Sequence, residues 1–301
     1  MPDIRPMDFG EVLDGALTLY RRNFALFIKL SLAVMWAPVA LLVFLQLRFL
    51  AGFQAAARVG NPQAILTLWQ DQFGAIVLWG LLWVVLYTAA SLLLTAGTIR
   101  VISDNYLGRD PSFQEAFTQG VGKIVPLFLV ELGKSILLFI IIVISSVVIG
   151  VIAGLSGAMG LAGAILFISL AVVGAFWLAA YVWSAYGLTT PVIVLESLQS
   201  SFDSFGRSWE LTTAARLRMF GWIAVAWLLA SFLPYLVFRA VGFMIKDLGQ
   251  TVLLGWLMVQ SVFTIFLIPI RPCVRTLAYY DLRVRREAFD LELLGKELGV
   301  G

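Results

Sequence analysis

Histidine is absent from the 301 residues of this chain, and cysteine occurs once, as Cys273. Without histidine there is no imidazole ligand for a metal and no Ser-His or Cys-His pair for nucleophilic catalysis. A lone cysteine leaves no disulfide within the chain. The remaining residues form no recognisable catalytic constellation, so we expect a protein that is not an enzyme and that uses no cofactor and no metal.

Charged residues are scarce as well. They make up 13% of the chain, against roughly 25% in an ordinary soluble domain, while 61% is hydrophobic and the mean hydropathy is +0.95. A soluble chain of this size needs far more polar surface, so a soluble enzyme, a nucleic-acid-binding protein and a disordered chain are excluded. We predict a single integral membrane domain over residues 1–301, with no nucleic acid among its partners.

Long apolar runs predict where the chain crosses the membrane. A helical span needs about 20 mostly apolar residues, and lipid tolerates only backbone that is hydrogen-bonded internally. The predicted spans are 24–47, 74–99, 124–153, 161–188, 219–245 and 251–274. The predicted fold class is therefore all-α: a polytopic protein with six transmembrane helices in three hairpins.

Most of the 21 lysine and arginine residues fall on the side of the spans that carries both termini. By the positive-inside rule, this bias predicts that both termini lie in the cytoplasm, with the chain in the bacterial inner membrane. Basic residues beside a membrane also attract anionic lipid headgroups. The lipid bilayer and its anionic headgroups are accordingly the first partners that we expect.

Three amphipathic segments precede spans one, three and five, and we expect them to lie on the cytoplasmic surface of the membrane. Asp8 is a predicted N-cap for the first, and Ser112 with Glu115 a capping box for the second. Their apolar faces are Phe9, Val12, Leu13, Ala16, Leu17 and Tyr20; then Phe113, Ala116, Phe117 and Val121; then Phe202, Phe205 and Trp209.

A threefold internal repeat follows from this arrangement, with pseudo-repeats at about 9–109, 110–199 and 200–301. The ends of spans two and six also align, since residues 98–103 can be laid on residues 273–278. The alternative is that basic, amphipathic loops recur by chance. After the last span, Val284, Ala288, Leu291, Leu294 and Leu298 predict a further amphipathic helix that lies on the membrane or docks on a partner.

Three motifs resemble a known family. They are residues 10–24 (GEVLDGALTLYRRNF), 204–212 (SFGRSWELT) and 279–294 (YYDLRVRREAFDLELL). Together they are similar to the bacterial membrane domain of glycerophosphoryl diester phosphodiesterase, which implies a six-helix inner-membrane protein of largely unknown role. Active members carry a separate barrel that uses histidines and a carboxylate-bound metal. Because this chain has no histidine, we expect a stand-alone membrane domain without phosphodiesterase chemistry.

Ionisable residues inside spans are the first candidates for a site. Glu131 and Lys134 are three residues apart in the third span, close enough to pair on one helix face. They form either a polar site for a headgroup or for proton coupling, or a structural pair that fixes helix packing. Arg239 in the fifth span either snorkels to the outer interface or contacts an anion.

Charged residues at the two ends of the chain are candidates for headgroup or partner contacts. The alternative is that they only anchor the topology. Asp14, with Arg21 and Arg22, is a candidate for salt bridges to the C-terminal helix. The full set is Asp14, Arg21, Arg22, Arg271, Arg275, Arg283, Arg285 and Arg286.

Two functions remain open from the sequence. The first is a non-enzymatic membrane scaffold or accessory protein that acts through its cytoplasmic face on a membrane or cytoplasmic partner, or as a homo-oligomer. The second is a small transporter or lipid-handling protein with a polar intramembrane site near Glu131 and Lys134. A polar cavity that reaches Glu131 would favour the second function, and a solidly packed pair the first.

Overall fold

Helices account for the regular secondary structure of the computed structural model, which describes residues 5–50, 52, 62–245 and 249–287. No strand occurs in these ranges, so the all-α prediction is confirmed for them. The α-helices are α1 (Phe9–Arg22), α2 (Phe24–Leu45), α3 (Pro62–Tyr106), α4 (Phe113–Gly122), α5 (Ile124–Gly154), α6 (Ser156–Ala185), α7 (Thr189–Leu195), α8 (Asp203–Thr212), α9 (Arg216–Trp227), α10 (Leu233–Ile245), α11 (Gln250–Leu267) and α12 (Ile270–Glu287). Two π-helical segments, Gln46–Leu50 and Leu228–Phe232, follow α2 and α9.

Six helical segments are long and apolar enough to cross a membrane, which confirms the number of spans predicted. They are Phe24–Phe49, Ile65–Tyr106, Ile124–Gly154, Ile165–Leu195, Arg216–Ile245 and Gly255–Glu287. The second and sixth segments continue beyond their predicted ends at residues 99 and 274. The apolar run stops there, but the helix does not, because pairs such as Arg100 with Asp104 support further turns.

The apolar segments are covered very little by protein. In four of the six, only 6% to 11% of the most apolar stretch is buried. Water would make so large an exposed apolar surface unstable, whereas lipid chains match it. The chain is thus consistent with an integral membrane protein. The three hairpins and the three pseudo-repeats stay predictions.

The chain folds into two compact units. The first contains Met1–Gly15, Val125–Ala224 and Val274–Gly301, and the second contains Ala16–Ile124 and Val225–Cys273. Residues 288–301, which hold most of the amphipathic stripe predicted after the last span, lie outside the described residues. Val284, the first member of that stripe, is buried.

The core of the second unit forms where α2, α3, α4 and α11 pack together. Gly97 and Gly120 allow this close approach, because a Cβ atom at Gly120 would lie 2.8 Å from the carbonyl oxygen of Leu93. Pro38 inside α2 has its carbonyl hydrogen-bonded by the indole of Trp83 at 3.1 Å. The buried core residues are Leu30, Val34, Met35, Ala90, Leu93, Leu94, Ile265 and Ile268.

In the first unit, small polar side chains join α8 to the end of α6. The hydroxyl of Ser208 donates to the Ala185 carbonyl at 2.7 Å and accepts the Leu188 amide at 3.2 Å. Thr212 also donates to Ala185. These bonds satisfy backbone groups that the end of α6 leaves unpaired. The helix therefore buries its serines and threonine, while Trp209 stays exposed.

Each predicted surface segment is a separate helix that ends one to a few residues before a span. Ser112 caps α4 as expected, with its hydroxyl accepting the Glu115 amide. At α1, the Glu11 carboxylate accepts the Asp8 amide at 2.7 Å. Hydrogen bonds from Arg5 and from this amide lower the pKa of Glu11. The position of these helices on a membrane surface stays a prediction.

Candidate functional site

A charged cavity lies within the first unit. Its volume is about 170 Å³, and it is lined by side chains of α5, α6 and α12 and by the turn after α6. Glu131 and Lys134 come from α5, and Arg275 from α12. The other lining residues are Ser135, Leu138, Val182, Trp183, Tyr186 and Gly187.

Lys134 and Glu131 form an ion pair on one face of α5. The ammonium donates to Glu131 Oε1 at 2.5 Å, and the side chains are 17% and 35% exposed. The spacing of three residues places both groups on the same side of the helix. The pairing foreseen from the sequence is therefore present, and a cavity lies against it.

Arg275 brings a second cation to this cavity from a helix far along the chain. The sequence alone assigned Arg275 to the terminal cluster and gave no reason to place it beside Glu131. The lining thus holds two cations, Lys134 and Arg275, and one carboxylate, Glu131. Lysine and arginine bind phosphate and carboxylate oxygens, and such bonds are strong where water is scarce.

The walls of the cavity are held by aromatic and glycine contacts. The ring of Tyr186 packs edge-on against Phe205, with centroids 5.0 Å apart. At Gly187, an added Cβ would lie 2.6 Å from Ile223 Cδ1, so only glycine fits this turn without displacing its neighbour. Tyr186 and Ser135 were not singled out from the sequence, since a single hydroxyl within an apolar stretch is a weak signal.

Arg207 on α8 is the centre of a separate ion network. Its Nε donates to Glu196 at 3.0 Å, and its Nη2 pairs with Glu287. Tyr279 donates its hydroxyl to Glu196 at 2.8 Å, and Arg283 pairs with Glu287 at 2.8 Å. Burial alone would lower the pKa of Arg207, but the bonds to Glu196 and Glu287 raise it overall. Arg283 is therefore engaged within the protein.

The remaining residues of the terminal cluster have internal roles or lie exposed. Arg285 pairs with Asp281 on its own helix and donates to the Met7 carbonyl, while Arg286 donates to the Glu210 carbonyl. Asp14 is exposed, and within the described residues it has no ion pair to α12. The salt bridge expected from Asp14 is therefore replaced by Asp281, which is closer in sequence to Arg285. Arg21 and Arg22 are exposed.

Arg239 and Arg271 lie in the second unit and line cavities of their own. Arg239 is on α10, and Arg271 is at the start of α12. The structure thus brings Glu131, Lys134 and Arg275 together and leaves these two arginines apart from that cavity's lining.

Comparisons with known proteins add no assignment. No family model matches the chain, and no curated protein or solved structure matches it. Within the described residues, no group of three or more histidine, cysteine, aspartate or glutamate side chains could hold a metal ion. What the charged cavity does has therefore to be argued from its own residues.

Proposed function

We propose that this chain is a lipid-handling protein of the bacterial inner membrane that holds an anionic headgroup between Lys134 and Arg275. The observation that carries the proposal is the cavity that these two cations line together with the carboxylate of Glu131, which pairs with Lys134. Both termini lie in the cytoplasm in this proposal, and the protein is not an enzyme.

The size of the cavity indicates what it accepts. Its volume of about 170 Å³ is below the roughly 300 Å³ of the smallest common ligand pockets, so it suits a small anionic group rather than a whole molecule. A phosphate ester of a lipid meets this condition, because its acyl chains remain among the exposed apolar helices. Free phosphate has the same chemistry, and the experiment has to separate the two.

Glu131 competes with the ligand in this proposal. When no anion is bound, the carboxylate satisfies Lys134; an arriving phosphate takes over one or both cations. Removing the negative charge should therefore strengthen binding, as expected when like charges repel in a low-dielectric site. A purely structural pair would behave differently, since breaking it leaves a buried cation unpaired and lowers stability.

The test measures binding to the full chain in a mild detergent. Thermal unfolding is followed with increasing phosphatidylglycerol, phosphatidylcholine or inorganic phosphate, since a ligand that binds the folded state raises the Tm. We expect a shift with phosphatidylglycerol and little with phosphatidylcholine. A shift with inorganic phosphate alone would make the ligand a soluble anion.

Matched variants locate the binding. Lys134→Gln and Arg275→Gln should each weaken phosphatidylglycerol binding roughly tenfold, and Glu131→Gln should strengthen it by a similar factor. Arg218→Gln is the control, because Arg218 is an exposed arginine outside the cavity lining. If Glu131→Gln destabilises the protein and leaves lipid binding unchanged, the pair is structural and the proposal fails.

A scaffold role is the second candidate, and one observation favours it. The Arg207 network fixes α8, while Phe202 and Trp209 beside it remain 54% and 41% exposed. A photo-crosslinking residue at position 202 in intact membranes should then give a discrete protein adduct. The same residue at position 139, in place of an exposed Phe on α5, is the control. Lipid adducts alone at both positions would argue against a scaffold.

A further inference from the structure

Polar side chains form a stripe on one face of α11. Gln260, Ser261 and Thr264 occupy positions i, i+1 and i+4, which share a face of an α-helix. Arg271 follows Thr264 after two further turns, just past the helix boundary at residues 268–269. From Gln260 to Arg271 a helical rise of 1.5 Å per residue gives about 16 Å, or half of the hydrocarbon thickness, and the cavity lined by Arg239 extends past this stripe to Leu257 and Gln46.

Two cavities of the second unit open onto this stripe. The first, of about 360 Å³, is lined by Arg239 together with Gln46, Trp83 and residues of the stripe. The second, of about 600 Å³, is lined by Arg271 together with Ser231. The two cavities adjoin, because four residues line both: Tyr87, Tyr235, Gln260 and Thr264. We call the adjoining cavities together the groove.

The charged side chains among the described residues of this groove are positive. No aspartate or glutamate is among the described residues that line either cavity. Arg239 and Arg271 also have no ion pair within the part of the chain that the structure describes. An arginine at membrane depth without a counter-ion is costly, so a mobile anion or water has to compensate it.

The groove is open to the outside of the protein. Arg239, Tyr235 and Thr264 are exposed although they lie within segments long and apolar enough to span a membrane. Beside the second cavity, residues 228–232 form a π-helical turn, followed by Pro234. Such turns loosen the regular helix and are frequent at functional sites. The opening lets a headgroup enter while its acyl chains stay in the bilayer.

We infer that this groove is a path along which the headgroup of an anionic glycerophospholipid crosses the membrane, with Arg239 and Arg271 binding its phosphate at the two ends. Glutamine, serine, threonine and tyrosine side chains between them replace the water that the headgroup would otherwise lose. The proposed path is not coupled to an energy source, so lipid moves along it in both directions. The groove shares no residue with the Lys134–Arg275 cavity, and the inference stands apart from the proposed function.

The test is a lipid-scrambling assay with the full chain in sealed vesicles of phosphatidylglycerol and phosphatidylcholine. A trace of fluorescent phosphatidylglycerol is added, and dithionite bleaches only the dye in the outer leaflet. If the protein scrambles lipid, we expect the bleached fraction of the dye to exceed the fraction that lies in the outer leaflet. Bleaching that stops at the level of protein-free vesicles would overturn the inference.

Variants of the groove test its location. The double variant Gln260→Leu/Thr264→Val should slow scrambling roughly tenfold, because two polar partners of the crossing headgroup are lost, and Arg239→Leu should act similarly. Ser146→Val is the matched control: this exposed serine on α5 lies outside both cavities. If groove variants with an unchanged Tm scramble as fast as the control, the path does not run here.

Further measurements distinguish the possible ligands from one another and the groove from the headgroup cavity. A fluorescent phosphatidylcholine that crosses as fast as phosphatidylglycerol would contradict a role for the arginines in selecting anionic headgroups. Release of entrapped inorganic phosphate would show a channel for free anions instead of a lipid path. The Tm shift lost in Lys134→Gln reports on the headgroup cavity, and slower scrambling by Arg239→Leu reports on the groove, so a failure of the headgroup cavity and a failure of the groove give different results.

Discussion

The backbone amide of Met7 donates a hydrogen bond of 2.7 Å to the carboxylate of Asp281, which lies 274 positions later in the chain. Asp281 is fully buried, and the same carboxylate is bound by Arg285 at 3.0 Å. Arg285 in turn donates to the Met7 carbonyl. These reciprocal bonds tie the segment before α1 to α12. They explain why charged sequence motifs occur at both ends of the chain.

Asp281→Ala should lower the free energy of unfolding by roughly 2 to 3 kcal/mol. This is the lower end for a broken buried pair, because the Arg285 side chain is 31% exposed and water can partly solvate it. Asp14→Asn, at an exposed carboxylate, is the control and should change stability by less than about 0.5 kcal/mol. Denaturation in detergent followed by tryptophan fluorescence measures both. Equal effects of the two substitutions would contradict a structural link between the two ends of the chain through Asp281.

Arg207→Ala should be at least as damaging, at about 3 kcal/mol, since it leaves Glu196 and Glu287 without their shared cation at 18% and 25% exposure. Arg207→Lys should recover only part of this loss, because an ammonium cannot reproduce the forked geometry of a guanidinium. A double-mutant cycle with Tyr279→Phe measures the coupling through Glu196. Additive effects of the two changes would show that these side chains do not act as one network.

The spans and the helices before them could be predicted from the sequence because both depend on local pattern. Long apolar runs require helices in lipid, and the start of α4 followed from Ser112 and Glu115. The aligned ends of spans two and six also show the same burial: Arg100 and Arg275 are half-buried between buried neighbours. Such features need only residues a few positions apart.

The candidate site could be predicted only in part, because its members come from distant segments. Glu131 and Lys134 were found since they share one helix face, but nothing in the sequence places Arg275 beside them. Asp281 and Met7 meet only through the tertiary fold. The groove on α11 had a usable signal in Gln260, since an amide within an apolar span needs a partner.

Gly120→Ala should destabilise the protein by about 1 to 3 kcal/mol, because the new methyl group would lie 2.8 Å from the carbonyl oxygen of Leu93 and force α3 and α4 apart. Gly122→Ala, two residues later on the same helix, is the matched control. Nothing lies within 4 Å of its added Cβ, so the change should be neutral or stabilising by roughly 0.4 to 1 kcal/mol. Thermal unfolding of the two variants measures the difference. A Gly120→Ala variant that is more stable than the unchanged protein would contradict close packing of these helices.

The partly buried hydroxyl of Tyr20 predicts that the protein loses stability at high pH. Burial raises the pKa of its hydroxyl to about 12, and this hydroxyl donates to the Phe266 carbonyl. In the unfolded chain the pKa is about 10, so the unfolded state releases its proton first. The contribution of Tyr20 is therefore complete below pH 10 and disappears as the pH rises towards 12. Tyr20→Phe should lack this part of the pH dependence and should also lose the hydrogen bond, at about 1 kcal/mol near neutral pH. Unfolding measured from pH 8 to 12 for both proteins checks this, and parallel curves would place Tyr20 in water.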